Sequence, residues 1–161
     1  MSAVLVEAGP DKGAVWHFGE PVKEQRALEA GTAWADLSHH NVIGVSGVDR
    51  LKWLHDLTTQ FVSDLQPGVW MANMILDAKG HVEFQFNVVD DGSTTFLVLD
   101  PGYSEQLIEY LTKMKFMLRV DVKDASSEFA VLRAPGAPTE IGGPFALVPR
   151  AEVEEMKKTF G

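Results

Sequence analysis

The sequence predicts an α+β domain: an antiparallel sheet with its helices on one face, in a ferredoxin-like arrangement. Three observations predict it. Strand-like runs with period-two alternation are joined by short glycine turns, as at Asp77-Ala-Lys-Gly80 and Asp91-Gly92, which favours hairpins. Runs with apolar residues at helical spacing are inserted among those strands. The 161 residues are 45% hydrophobic, which suits one globular core or one core plus part of another.

The elements follow in order. Residues 1–20 carry glycines and a proline, with Val15-Trp-His-Phe18 as a lone strand, and residues 22–30 form a short helix ended by Gly31. Residues 42–46 are a strand. Asp49 then falls in the first turn of a helix, where its charge meets the positive dipole end. Val48, Leu51, Leu54 and Leu57 give that helix its apolar stripe, and Trp53 lies off the stripe, exposed or against another domain.

Residues 69–76 and 82–90 form a hairpin, and Thr94–Leu99 the next strand. Asp100-Pro101 opens a helix, with a carboxylate at the N-cap and proline at the first helical position. Its buried face is Leu107, Tyr110, Leu111 and Met114, and strands near 118–123 and 128–133 follow. Ala134–Pro138 and Gly142–Pro144 are linker-like. Strand 145–149 and helix 150–160, with its stripe Val153, Met156 and Phe160, echo the strand–proline–helix unit at Phe96–Pro101. This unit has nothing to pack on, so the chain reads as part of a longer polypeptide. The expected division is an extension at 1–33, an α+β domain at 34–133, and a linker with a second unit at 134–161.

Composition excludes several function classes. With 14 basic and 23 acidic residues the net charge is −9, and the densest basic cluster is only Lys113 to Arg119, so nucleic-acid binding is not expected. The N-terminus lacks a basic region and an apolar run, and nowhere do the ~20 apolar residues of a membrane span occur. The absence of cysteine removes thiolate ligation and fits a reducing cytoplasm.

Three groups of residues carry chemical potential. His39-His40 precede a strand; adjacent residues on extended backbone point to opposite sides, so no shared metal is expected. In the run His81–Asp90, alternation places Val82, Phe84, Phe86 and Val88 on one face and Glu83, Gln85 and Asn87 on the other. That polar row suits either a solvated surface or a pocket wall, and Glu83 is a weak candidate acid or base. Trp16, Trp34, Trp53 and Trp70 are either core residues or platforms for a flat ligand.

Several short elements occur in a fixed order: Asp36-Leu-Ser-His39, Val45-x-Gly47, Leu57-Thr-Thr59, Leu65-x-Pro-Gly68, Asp77-Ala-Lys-Gly80 and Phe96-Leu-Val-Leu99. Together they resemble the folate-binding domain of the glycine-cleavage T-protein (aminomethyltransferase) and its YgfZ-type relatives, over about residues 34 to 133. The resemblance implies tetrahydrofolate as cofactor, bound near His40, Met74 and Gln85. By position His40 replaces a methionine close to the folate, while Phe84 and Gln85 replace the catalytic aspartate pair. Neither can serve as a carboxylate, so the resemblance implies loss of aminomethyl transfer. It then points to the YgfZ-type branch, a folate-dependent helper of iron–sulfur cluster maturation and tRNA modification, with iron–sulfur assembly proteins as partners. The branch's downstream cysteine segment does not occur here. The alternatives are an aminomethyltransferase using Glu83, and a non-catalytic structural or interaction domain.

Overall fold

The computed structural model describes residues 2–133 and 145–160, so the linker segments Ala134–Pro138 and Gly142–Pro144 lie outside the described residues, as does the Phe160 side chain. The chain opens with a small antiparallel hairpin, β1 (Val4–Leu5) and β2 (Val15–His17), so the first strand is paired rather than alone. Helix α1 (Pro21–Glu29) starts on proline and ends just before Gly31, whose φ of 67° takes the left-handed turn that favours glycine.

Next come β3 (Ala35–Asp36), β4 (Asn41–Ser46), α2 (Arg50–Leu57), β5 (Met71–Leu76), β6 (Val82–Asp90), β7 (Thr94–Leu99) and α3 (Ser104–Met114). They are followed by β8 (Asp121–Asp124), β9 (Phe129–Arg133), β10 (Phe145–Pro149), a 3-10 turn at Arg150–Glu152 and α4 (Val153–Phe160).

Strands β5-β6-β7-β4-β8, in that spatial order, form an antiparallel sheet. The β7–α3–β8 crossover spans β4, as in the second half of a ferredoxin-like unit, and β5 is an added strand at the edge beside β6. A second antiparallel sheet has the order β10-β9-β3.

Alternation along the strands sorts the core into layers. On one face of the main sheet, Ile43, Val45, Ile75, Phe86, Val88, Leu97 and Leu99 pack with Trp53 and Leu54 of α2 and Leu107 and Leu111 of α3. On the other face, Val42, Val89, Phe96 and Val98 pack with Phe129, Val131, Phe145 and Leu147 of the second sheet. The outer side of that sheet, Ala130, Leu132 and Val148, is covered by Val153 and Met156 of α4. Each fully buried Leu or Val contributes about 1.5–3 kcal/mol through desolvation.

Further expectations are corrected. The unit at 145–160 does pack: β10 pairs along its whole length with β9. Trp53 is buried at 4% exposure, not on the surface, because it packs into the core and its indole N–H donates to the Met114 carbonyl at the end of α3, at 3.1 Å. Val48, assigned to the stripe, is instead 73% exposed, since it sits in the turn before α2.

Asp100-Pro101 does not open α3, which starts at Ser104 with Tyr103 at the N-cap position. Gly102, at φ 91°, turns the chain first, its N–H donating to Asn41 Oδ1.

Gly47 is where the sequence has no choice. Its φ is +109°, and a Cβ there would lie 2.0 Å from the Arg119 carbonyl oxygen. Asp49 takes the N-cap position of α2, but its carboxylate accepts from the Arg119 backbone N–H and guanidinium instead. The β4–α2 turn is thus clasped to the segment before β8.

Candidate functional site

The Asp36-Leu-Ser-His39 element is a self-bonded turn. Asp36 Oδ1 accepts the Ser38 N–H at 2.9 Å, and the His40 N–H donates to the Leu37 carbonyl at 2.9 Å. The Arg150 guanidinium ties the turn to the chain before α4 by donating to the Ser38 carbonyl. Burial pushes the Asp36 carboxyl up, but the Lys157 ammonium at 2.7 Å and the Ser38 N–H outweigh it and hold it low. Lys157 is raised in turn by its bond to Asp36, against the opposing effect of burial.

The turn places His40 just before the start of β4, at one end of the main sheet's strands. There a cleft of about 120 Å³ is lined by His40, Gln85, Asn87, Asp100, Phe145 and neighbouring apolar side chains. Met74 pairs directly with Gln85 across the β5–β6 ladder, so both side chains stand on the same face. The structure therefore brings His40 and Gln85 into one cleft and sets Met74 beside it. Among the described residues, the Gln85 and Asn87 amides make no side-chain hydrogen bond within the chain. Burial, then the neighbouring His39, lower the His40 pKa against the pull of Asp100 and Asp11, so the imidazole is neutral and can accept or donate.

Glu83 is not part of this cleft. Ile75 pairs with Phe84 and Leu76 with Val82, which leaves Glu83 as the extra residue of a β-bulge. It is exposed, and its charge acts on Tyr110 of α3, which burial chiefly raises. Phe84 points to the helix side, 5.7 Å from the Tyr110 ring. Of the two positions expected to replace the aspartate pair, only Gln85 faces the cleft.

A larger cavity of about 820 Å³ adjoins the cleft, with Leu37 and His40 forming part of both walls. The N-terminal hairpin, α1 and the Thr32–His40 segment enclose it, with Trp16, Trp34 and Lys157 in its lining. Sequence reading missed this cavity and the part Asp11, Asp100 and Lys157 play near it. Asn87 was legible in the polar row of β6. Asp11, in a glycine-rich turn, carried no local signal.

Comparison with solved structures places the fold. The chain is similar to the glycine cleavage system aminomethyltransferase T from Bartonella henselae, with a TM-score of 0.65 over 81% of its length. The likeness is one of fold. Sequence identity is 17%, and the chain spans 36% of that protein, about a third of its length. No protein-family model matches the sequence. The α+β class and the antiparallel sheet expected from the sequence are those observed. No helix among the described residues is long and apolar enough to cross a membrane.

Proposed function

We propose that this chain is a tetrahydrofolate-binding domain without catalysis of its own, acting within a YgfZ-type protein that assists iron–sulfur cluster maturation and tRNA modification in the cytoplasm. The observation that carries the reading is the cleft: His40, Gln85 and Asn87 line it together, and among the described residues the two amides make no side-chain hydrogen bond. A pteridine ring presents amide-like donors and acceptors on its edges, and the paired Gln85 and Asn87 amides match them. The fold shared with aminomethyltransferase T supports the same ligand class. Iron–sulfur assembly proteins are the partners this reading implies.

The catalytic alternative is weaker because its acid is misplaced. Glu83 is exposed on a bulge and directed away from the amides. The interaction-domain alternative looked to Trp53 as a contact surface, and that ring is buried in the chain's own core.

Calorimetric titration with 5-formyl-tetrahydrofolate tests the proposal, since even millimolar binding is worth about 4 kcal/mol. Saturable binding that Gln85→Ala weakens severalfold, with folding intact, is the expected result. Absence of heat at several millimolar ligand, or binding indifferent to both Gln85→Ala and His40→Ala, overturns it.

A further inference from the structure

The His39-His40 pair does not behave as residues on extended backbone. The turn closed by Asp36 and Leu37 folds the two imidazoles toward each other, with ring centroids 4.7 Å apart and planes at 73°. Asp11 reaches the same point from the hairpin turn, whose shape is set by the bonds Lys12 N–H to Gly9 O and Ala14 N–H to Asp11 O. Asp11 Oδ1 lies 3.0 Å from His39 Nε2. One ligating atom from each of Asp11, His39 and His40 lies within 4.8 Å of the other two.

We propose that Asp11, His39 and His40 form a binding site for a divalent transition-metal ion of the zinc type, open to the 820 Å³ cavity.

Two imidazole nitrogens and one carboxylate oxygen are a donor set for zinc, cobalt, nickel or ferrous ions rather than for magnesium or calcium, which prefer oxygen. Metal–ligand bonds of about 2.0–2.2 Å place tetrahedral ligand atoms roughly 3.3–3.6 Å apart. Separations of no more than 4.8 Å must therefore close by at most about 1.2–1.5 Å, within the reach of χ rotations of side chains that border a cavity. Three protein ligands leave a fourth position facing the cavity, where water or an anionic ligand would sit. Asp100, 3.9 Å from His40 Nδ1, adds negative potential beside the site.

The site goes beyond the folate reading and shares only His40 with it. Asp11 and His39 do not line the folate cleft, so variants at these two positions separate the proposals.

The test is titration of the full chain with Zn²⁺ alone by calorimetry, and with Co²⁺ alone by visible absorption. One ion per chain is expected, with intense cobalt d–d bands. Asp11→Asn and His39→Gln should each weaken binding at least about tenfold. Both positions lie near the surface, and unchanged melting curves without metal would show that the variants fold. His81→Gln should change nothing, although His81 and Asp77 form an exposed pair at 3.0 Å. No saturable binding, binding that survives both variants, or binding lost with His81→Gln overturns the proposal.

Discussion

The two faces of the main sheet are built on opposite terms. On the helix face, α2 and α3 cover the sheet, and even its charged residues are partnered. Asp90, 2% exposed, receives two bonds of 2.9 Å from the Arg50 guanidinium and further bonds from the Thr95 hydroxyl and the Gly92 N–H. Buried Asn73 is bonded to Thr58, Thr59 and Gln60. On the opposite face, the second sheet covers the apolar residues Val42, Val89, Phe96 and Val98, but the Gln85 and Asn87 amides of β6 find no side-chain partner among the described residues. One strand, β6, serves both faces, with Phe86 and Val88 inward and Gln85 and Asn87 toward the cleft. The contrast teaches where stability and function separate: the partnered Asp90 and Asn73 mark the face that holds the fold, and the unmet Gln85 and Asn87 amides mark the face open to a ligand.

Breaking the helix face should have the largest effect. Arg50→Ala strands the Asp90 carboxylate in the core, and a loss of about 3–5 kcal/mol is expected in urea unfolding. A loss under about 1 kcal/mol would mean that the pair is solvated in solution.

Acid titration of stability sharpens the same point. Burial raises the Asp90 pKa, but the Arg50, Thr95 and Gly92 bonds outweigh it and leave it below its ordinary value of 3.8. Its stabilising contribution is therefore fully present above 3.8 and is lost as pH falls through the depressed folded value. Asp36 acts with the same sign. Unfolding followed by circular dichroism between neutral pH and pH 2 should show a steep acid limb, and Arg50→Ala should flatten it.

A smaller effect is expected at Trp53. Trp53→Phe keeps most of the apolar contact but removes the donor to the Met114 carbonyl, for a cost of about 1–2 kcal/mol in the same unfolding assay. The smallest belongs to the cleft face: Gln85→Ala and Asn87→Ala should leave stability within about 0.5 kcal/mol of the parent. A larger loss would assign those amides a structural role.

The division between the faces also explains what the sequence could show. Alternation in β6 sorted Phe84, Phe86 and Val88 from Gln85 and Asn87, because a half-buried strand must alternate. The hairpin at Asp77–Gly80 was legible in its turn residues. Trp53 was misjudged because a threefold stripe describes one narrow face of a helix, and α2 is packed by both the sheet and α3. Asp100-Pro101 carried a helix-start signal that Gly102 overrode. The bulge at Glu83 shifts a side chain without leaving a mark in the composition. The second sheet joins β3, β9 and β10 from distant parts of the chain, and no local pattern announces such pairing. The meeting of Asp11 with the His39-His40 turn is of the same kind.

Amide NMR of the chain titrated with 5-formyl-tetrahydrofolate tests the central claim most directly. The account predicts shifts clustered on His40, Met74, Gln85 and Asn87, with the helix-face amides of α2 and α3 unmoved. No shifts at several millimolar ligand, or shifts centred on α2 and α3, would contradict it.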